Sequence, residues 1–133
     1  MSTQADLAHL LRRATFGPFP GQVDALVAGG TAAAVTSLLS TPPSALPAPP
    51  DHDWPGLLPV EWWLRRARDP AAGLAEKMVW FWHGLFCTSQ DKINNWEWMW
   101  NQHLLFRQQA LGNFRTLLQA ITTDVAMLFY LDG

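Results

Sequence analysis

The chain predicts an all-α fold, an irregular helical bundle of about six to seven helices with a long proline-rich loop. Three observations lead there. Apolar residues recur at spacings of three and four through most of the sequence. Helix punctuation by glycine, asparagine, aspartate and proline falls between those segments. The only stretch that alternates like a strand, Trp96-Glu97-Trp98-Met99-Trp100, runs directly into helix formers from Gln102 to Leu111 with no turn signal between them.

Residues 3–14 open the chain, with Thr3 as N-cap, Asp6 three positions on, and an apolar stripe of Leu7, Leu10, Leu11 and Ala14. Gly17-Pro18 and Pro20-Gly21 end this helix and start a second. The second carries Val23, Leu26 and Val27 on one side and closes at Gly29-Gly30. Thr31 then caps an alanine-rich helix through Leu39, and the three short helices should form one cluster. Residues 41–58 hold most of the ten prolines around Asp51-His52-Asp53-Trp54, which reads as a loop or linker. Neighbours in such a loop point to different sides, so Asp51, His52 and Asp53 read as solvating residues and not as a metal triplet.

A helix from Pro59 to Arg68 bears Trp62-Trp63. Asp69-Pro70 should start the next, a carboxylate at the N-cap with proline at the first helical position, reaching Cys87. Another is expected from about Asp91 to Leu111, ended by Gly112. On it Trp96 and Trp100 share a face and Trp98 points nearly opposite, so neighbours should sandwich it. Asn113 caps a helix to about Thr123, and Asp124 caps a last one to Leu131. The chain thus divides into an N-terminal cluster (1–40), the proline-rich loop (41–58) and a tryptophan-rich helical region (59–133).

Composition narrows the function classes. Hydrophobic residues make up 49% and charged residues 15% of the chain, against roughly 25% charged in a typical soluble domain. The shortfall points to surfaces that expect a partner. A net charge of −2 supplies no broad attraction for nucleic acid. The single cysteine, Cys87, excludes an internal disulfide. Neither a secretory signal nor an apolar run long enough to cross a bilayer occurs, so the chain as written reads as cytoplasmic.

On the helix before Cys87, the residues Glu76, Trp80, His83 and Cys87 fall on one side. Leu74, Ala75, Met78, Phe81, Trp82 and Leu85 form the opposite, core side. His83 and Cys87 have the i, i+4 spacing of a metal-gripping pair, but zinc takes three or four ligands. Glu76 lies about 10 Å along the axis from His83, too far to complete a first shell. No metal or other cofactor is therefore expected, with His83 the one weak metal candidate. His83 as base for a Cys87 nucleophile lacks any feature that lowers the thiol pKa. His9 and His103 read as structural histidines. Trp80, Trp96 and Trp100 are weak candidates for stacking a sugar or lipid, although tryptophans at helical spacing are first of all core.

Three stretches are similar to the bacterial domain-of-unknown-function 1800 family. They are Ala8-His9-Leu10-Leu11-Arg12-Arg13-Ala14-Thr15-Phe16-Gly17-Pro18, then Glu76 through Phe86 with Thr88-Ser89 following, and Ala110 through Arg115 continuing to Asp124–Leu128 and Tyr130-Leu131-Asp132. The resemblance implies the N-terminal portion of a larger helical bacterial protein with no established reaction. It also implies members that often look exported and that accompany sulfatase-like proteins. This chain has Leu85 where the family commonly has a second histidine, and Cys87 where a small residue is usual. Glu76 and His83 match, which makes them the weak catalytic candidates.

Two functions follow as expectations. The first is a packing or interaction module, whose partner is further C-terminal sequence of the same protein or a second copy. That partner would cover an apolar patch formed by some of Met127, Leu128, Phe129 and Tyr130. The second is part of an envelope-associated hydrolase-like enzyme, with Glu76 and His83 contributing to a site completed beyond Gly133.

Overall fold

A computed structural model describes residues 3–41, 58–69 and 72–133, without the side chains of Leu58 and Pro59. Asp51, His52, Asp53, Trp54 and Pro70 lie outside the described residues, as does most of the proline-rich segment. The described residues form helices and no strand: α1 (Thr3–Ala14), α2 (Gln22–Val27), α3 (Gly30–Ser40), α4 (Leu58–Ala67), α5 (Gly73–Leu85), α6 (Gln90–Ile93), α7 (Trp96–Gln108), α8 (Phe114–Ile121) and α9 (Val125–Tyr130).

In the N-terminal region α1 packs on both α2 and α3. Leu7 and Leu11 of α1 are completely buried, and Ala34 of α3 almost so. Thr15 closes α1 by donating its hydroxyl to the Leu11 carbonyl at 2.7 Å. Two expected caps here differ. Thr3 is the first residue of α1, and α3 begins at Gly30, one residue before Thr31, with Gly29 at the cap position.

The start of α5 also differs from the sequence expectation. The helix begins at Gly73, not Pro70, with Ala72 at the cap position and no side-chain cap. The Ala72 N–H donates to the Asp69 carbonyl at 2.9 Å. The Asp69 carboxylate accepts from Arg66 at 3.0 Å. Gly73 has φ +54, in the left-handed region that costs glycine nothing. The chain therefore enters α5 through a glycine in the left-handed region.

The predicted long helix from Asp91 to Leu111 is broken in two. Asn94 takes φ 49, a conformation asparagine tolerates better than other side-chain-bearing residues. Asn95 then caps α7, its Oδ1 accepting from the Trp98 N–H at 3.1 Å. The two remaining caps hold. Asn113 Oδ1 accepts from Arg115 N at 2.9 Å, and Asp124 Oδ1 from Met127 N at 2.8 Å.

The core sits between α5 and α7 and beneath α8. Ala75, Val79 and Trp82 of α5 pack with Phe106, Ala110, Leu117, Ile121 and Met127. The indole of Trp82 donates to the Ala110 carbonyl at 3.2 Å. α7 is sandwiched as its tryptophans predict. Trp100 meets Trp62 of α4 edge-on at 5.2 Å, and Trp98 meets Phe129 of α9 at 5.6 Å.

The expected core side of α5 is only half right. Ala75 and Trp82 are buried, but Phe81 and Leu85 are each 52% exposed. In the C-terminal segment Met127 is buried in the core, so it does not belong to the expected exposed patch. Leu128 and Phe129 do, at 41% and 47% exposed.

Asp124 carries two duties, capping α9 and accepting from Gln102 Nε2 at 2.7 Å. Asp124→Ala should therefore lower stability by about 1–2 kcal/mol, the upper range for an N-cap. Chemical denaturation should show a lower midpoint with an unchanged slope. An unchanged midpoint would mean that α9 does not depend on this cap.

Candidate functional site: a polar seam between two helices

Glu76 and His83 stand seven residues apart on α5, and Arg107 and His103 four apart on α7. The helices run past each other so that Glu76 meets Arg107 and His83 meets His103. Where α5 ends, Thr88 donates to Gln102 Oε1 at 2.6 Å, and Gln102 continues to Asp124. Three polar layers thus thread an interface otherwise made of Val79, Trp82 and Phe106.

Burial is what makes these layers unusual. Glu76 and Gln102 are completely buried, and His103 and Arg107 are 5% exposed. Ionised groups enter such surroundings only when paired. Glu76 Oε1 accepts from Arg107 Nη1 in a buried ion pair. Burial, and secondarily the charge of Arg66, lower the Arg107 guanidinium to about 10, which leaves it protonated at neutral pH. Arg66, on α4, pairs through Nη1 with Asp69.

The histidine layer lies in an aromatic shell. His83 Nε2 and His103 Nδ1 are 3.1 Å apart, so one ring donates to the other. Trp63 touches both rings, with centroids at 4.7 and 5.3 Å. Trp100 stacks on His103 at 5.3 Å, and Phe106 meets His83 edge-on at 4.8 Å. Burial lowers His83 to about 4; burial first, and then the neighbouring His83, lower His103 to about 3. Both imidazoles are neutral at physiological pH.

Of the sequence candidates, Glu76 and His83 therefore enter one seam, but in different layers and with different partners. Trp80 is 49% exposed and borders the seam through Trp63 at 5.3 Å. Trp100 belongs to the histidine shell, while Trp96 is half-buried at the start of α7. Cys87 is exposed past the end of α5, its thiol donating to the Gly84 carbonyl at 3.1 Å. His9 is exposed on α1. Among the described residues, no three of His, Cys, Asp and Glu stand together as metal ligands.

Sequence reasoning alone does not single out His103, Arg107, Arg66, Gln102 or Thr88 as members of a site. One signal is present. The i, i+7 spacing of Glu76 and His83 complements the reversed i, i+4 spacing of His103 and Arg107, acid against base and imidazole against imidazole.

Several buried atoms near the seam have no hydrogen-bond partner among the described residues: Glu76 Oε2, His103 Nε2, Trp63 Nε1, and Nε and Nη2 of Arg66. The seam can hold charge and share protons between its rings. Of its two histidines, His83 is the less buried.

Comparison with known proteins adds a family and little else. The family described as "Protein of unknown function (DUF1800)" matches residues 9–133. No curated protein and no solved structure matches the chain.

Both histidines have folded values below the ordinary 6.5, so the unfolded chain binds more protons between about 6.5 and 4. Their contribution to stability is complete above 6.5 and is lost as pH falls toward about 4 for His83 and about 3 for His103. Each should add a slope of about 1.4 kcal/mol per pH unit inside that window. Denaturation at pH 7, 6 and 5 should show falling stability, and His83→Gln should flatten the slope. A wild-type profile that is flat over this range would contradict the neutral buried pair.

Proposed function

Since the chain belongs to the DUF1800 family, which is described by no reaction, we propose from its own surfaces that it is a helical packing and interaction module. Its partner is further sequence of the same protein or a second copy of the chain. The observation that carries this is an exposed apolar surface on α5 and α8. Phe81 and Leu85 are each 52% exposed, Phe114 51% and Leu118 41%. Their positions are linked through Trp82, whose ring centre lies 4.9 Å from Phe81 and 5.9 Å from Phe114. On α9, Val125, Leu128 and Phe129 are exposed apolar residues as well. Contiguous surfaces of this kind characterise interaction sites more than free monomers. Among the described residues no helix is long and apolar enough to cross a membrane.

The test is self-association and dye binding of the isolated chain. Wild type should bind a hydrophobic dye and sediment as more than a monomer at high concentration. Phe114→Ser with Leu118→Ser should reduce both while keeping helical circular dichroism. A monomer without dye binding would remove the basis of the proposal.

A second reading places Glu76 and His83 in an envelope-associated hydrolase-like site completed by residues outside this chain. Glu76 Oε2, which has no partner among the described residues, favours it. Loss of a hydrolytic activity in Glu76→Gln without a drop in thermal midpoint would support this reading. A drop in midpoint alone supports the packing role.

A further inference from the structure

The contact between His83 and His103 has a geometry that suits more than a shared proton. Their nitrogens are 3.1 Å apart and their ring centres 5.4 Å. Those two separations together require the nitrogens to meet head on, along the line between the rings. Whatever links the rings in place of the proton must therefore accept two ligands in line. The surroundings restrict it further. His103 is 5% exposed, and Trp62, Trp63 and Trp100 all lie against it. A polyatomic ligand or a hydrated ion does not fit between rings so packed. Zinc would need at least one more protein ligand, and none stands with the pair among the described residues.

We propose that His83 Nε2 and His103 Nδ1 form a two-coordinate site for a monovalent closed-shell metal cation of the copper(I) class, seated beside Trp63, the indole that touches both rings. Imidazole is a competent copper ligand. Indole faces stabilise a desolvated cation by cation–π attraction, best for tryptophan. Because burial keeps both rings neutral, no proton has to be expelled to the solvent. The hydrogen-bonding proton moves to the other nitrogen of its own ring, and each ring then offers a lone pair to the ion. The rings must part slightly to admit it. His83, two residues from the end of α5 and beside Gly84, where a Cβ would meet nothing within 4 Å, is placed to give way.

The exposed Cys87 thiol would compete for such an ion, so the experiment uses Cys87→Ser. That variant is titrated with Ag+, a redox-inert probe, and with Cu+ under anaerobic conditions. The expected result is one ion per chain, quenching of tryptophan fluorescence, and nitrogen chemical shifts that move for both His83 and His103. Zn2+ should compete poorly. Adding His83→Ala or His103→Gln should abolish binding. If either variant misfolds, the nitrogen shifts in Cys87→Ser alone decide the matter. Failure to bind Ag+ or Cu+, binding that leaves both imidazoles unmoved, or tighter binding of Zn2+ would each overturn the proposal.

Discussion

The ion pair between Glu76 and Arg107 constrains everything around it. An isolated charge at this depth would cost several kcal/mol after relaxation, so neither residue can be buried without the other. That requirement fixes how far α5 can slide along α7, because only one register brings the carboxylate to the guanidinium. The same register aligns His83 with His103 and Thr88 with Gln102. An interface made only of Val79, Trp82 and Phe106 would hold the helices together with weaker preference for one alignment. Polar layers exchange some stability for that uniqueness, the role best attested for buried polar groups in helix pairs.

From this register the rest of the fold follows. With α7 placed, Trp100 reaches Trp62 on one side and Trp98 reaches Phe129 on the other. Gln102 is thereby aimed at Asp124, which caps α9 and ties the C-terminal helices to the same seam. The N-terminal cluster attaches separately, through contacts of α1 and α3 with α5. Among the described residues its core of Leu7, Leu11 and Ala34 holds no buried charged side chain. Trp62, Trp63 and Trp100 surround the histidine layer with apolar area, and Trp82 packs in the core.

How much of this is legible in the sequence depends on whether the controlling interaction is local. The helices and the caps Asn113 and Asp124 can be read directly, because a cap is a contact within a few residues. The break at Asn94 escapes notice because two asparagines inside a run of helix formers carry a weak signal. The side chain of Asn95 decides it by turning to Trp98. Asp69-Pro70 misleads for the opposite reason. A strong local signal is overridden: Asp69 pairs with Arg66, and α5 begins at Gly73. In the site, the α5 stripe is legible, since helical spacing places Glu76 and His83 on one side. Their partners are not, because Arg107 and His103 come from a different helix and only the packing of α5 on α7 selects them. The exposure of Phe81 and Leu85 is hidden for the same reason: hydrophobicity says that a face wants cover, not which neighbour supplies it.

If the Glu76–Arg107 pair sets the helix register, its two members must act as a unit. A double-mutant cycle with Glu76→Gln, Arg107→Met and the combined variant tests this most directly. Each single change should cost about 3–5 kcal/mol, the usual cost of breaking a buried ion pair by removing one partner. The combined change should cost far less than the sum, a coupling well above the roughly 0.5 kcal/mol within which independent sites add. Additive losses, or single variants as stable as wild type, would mean that the pair does not hold the seam and that the register has another cause.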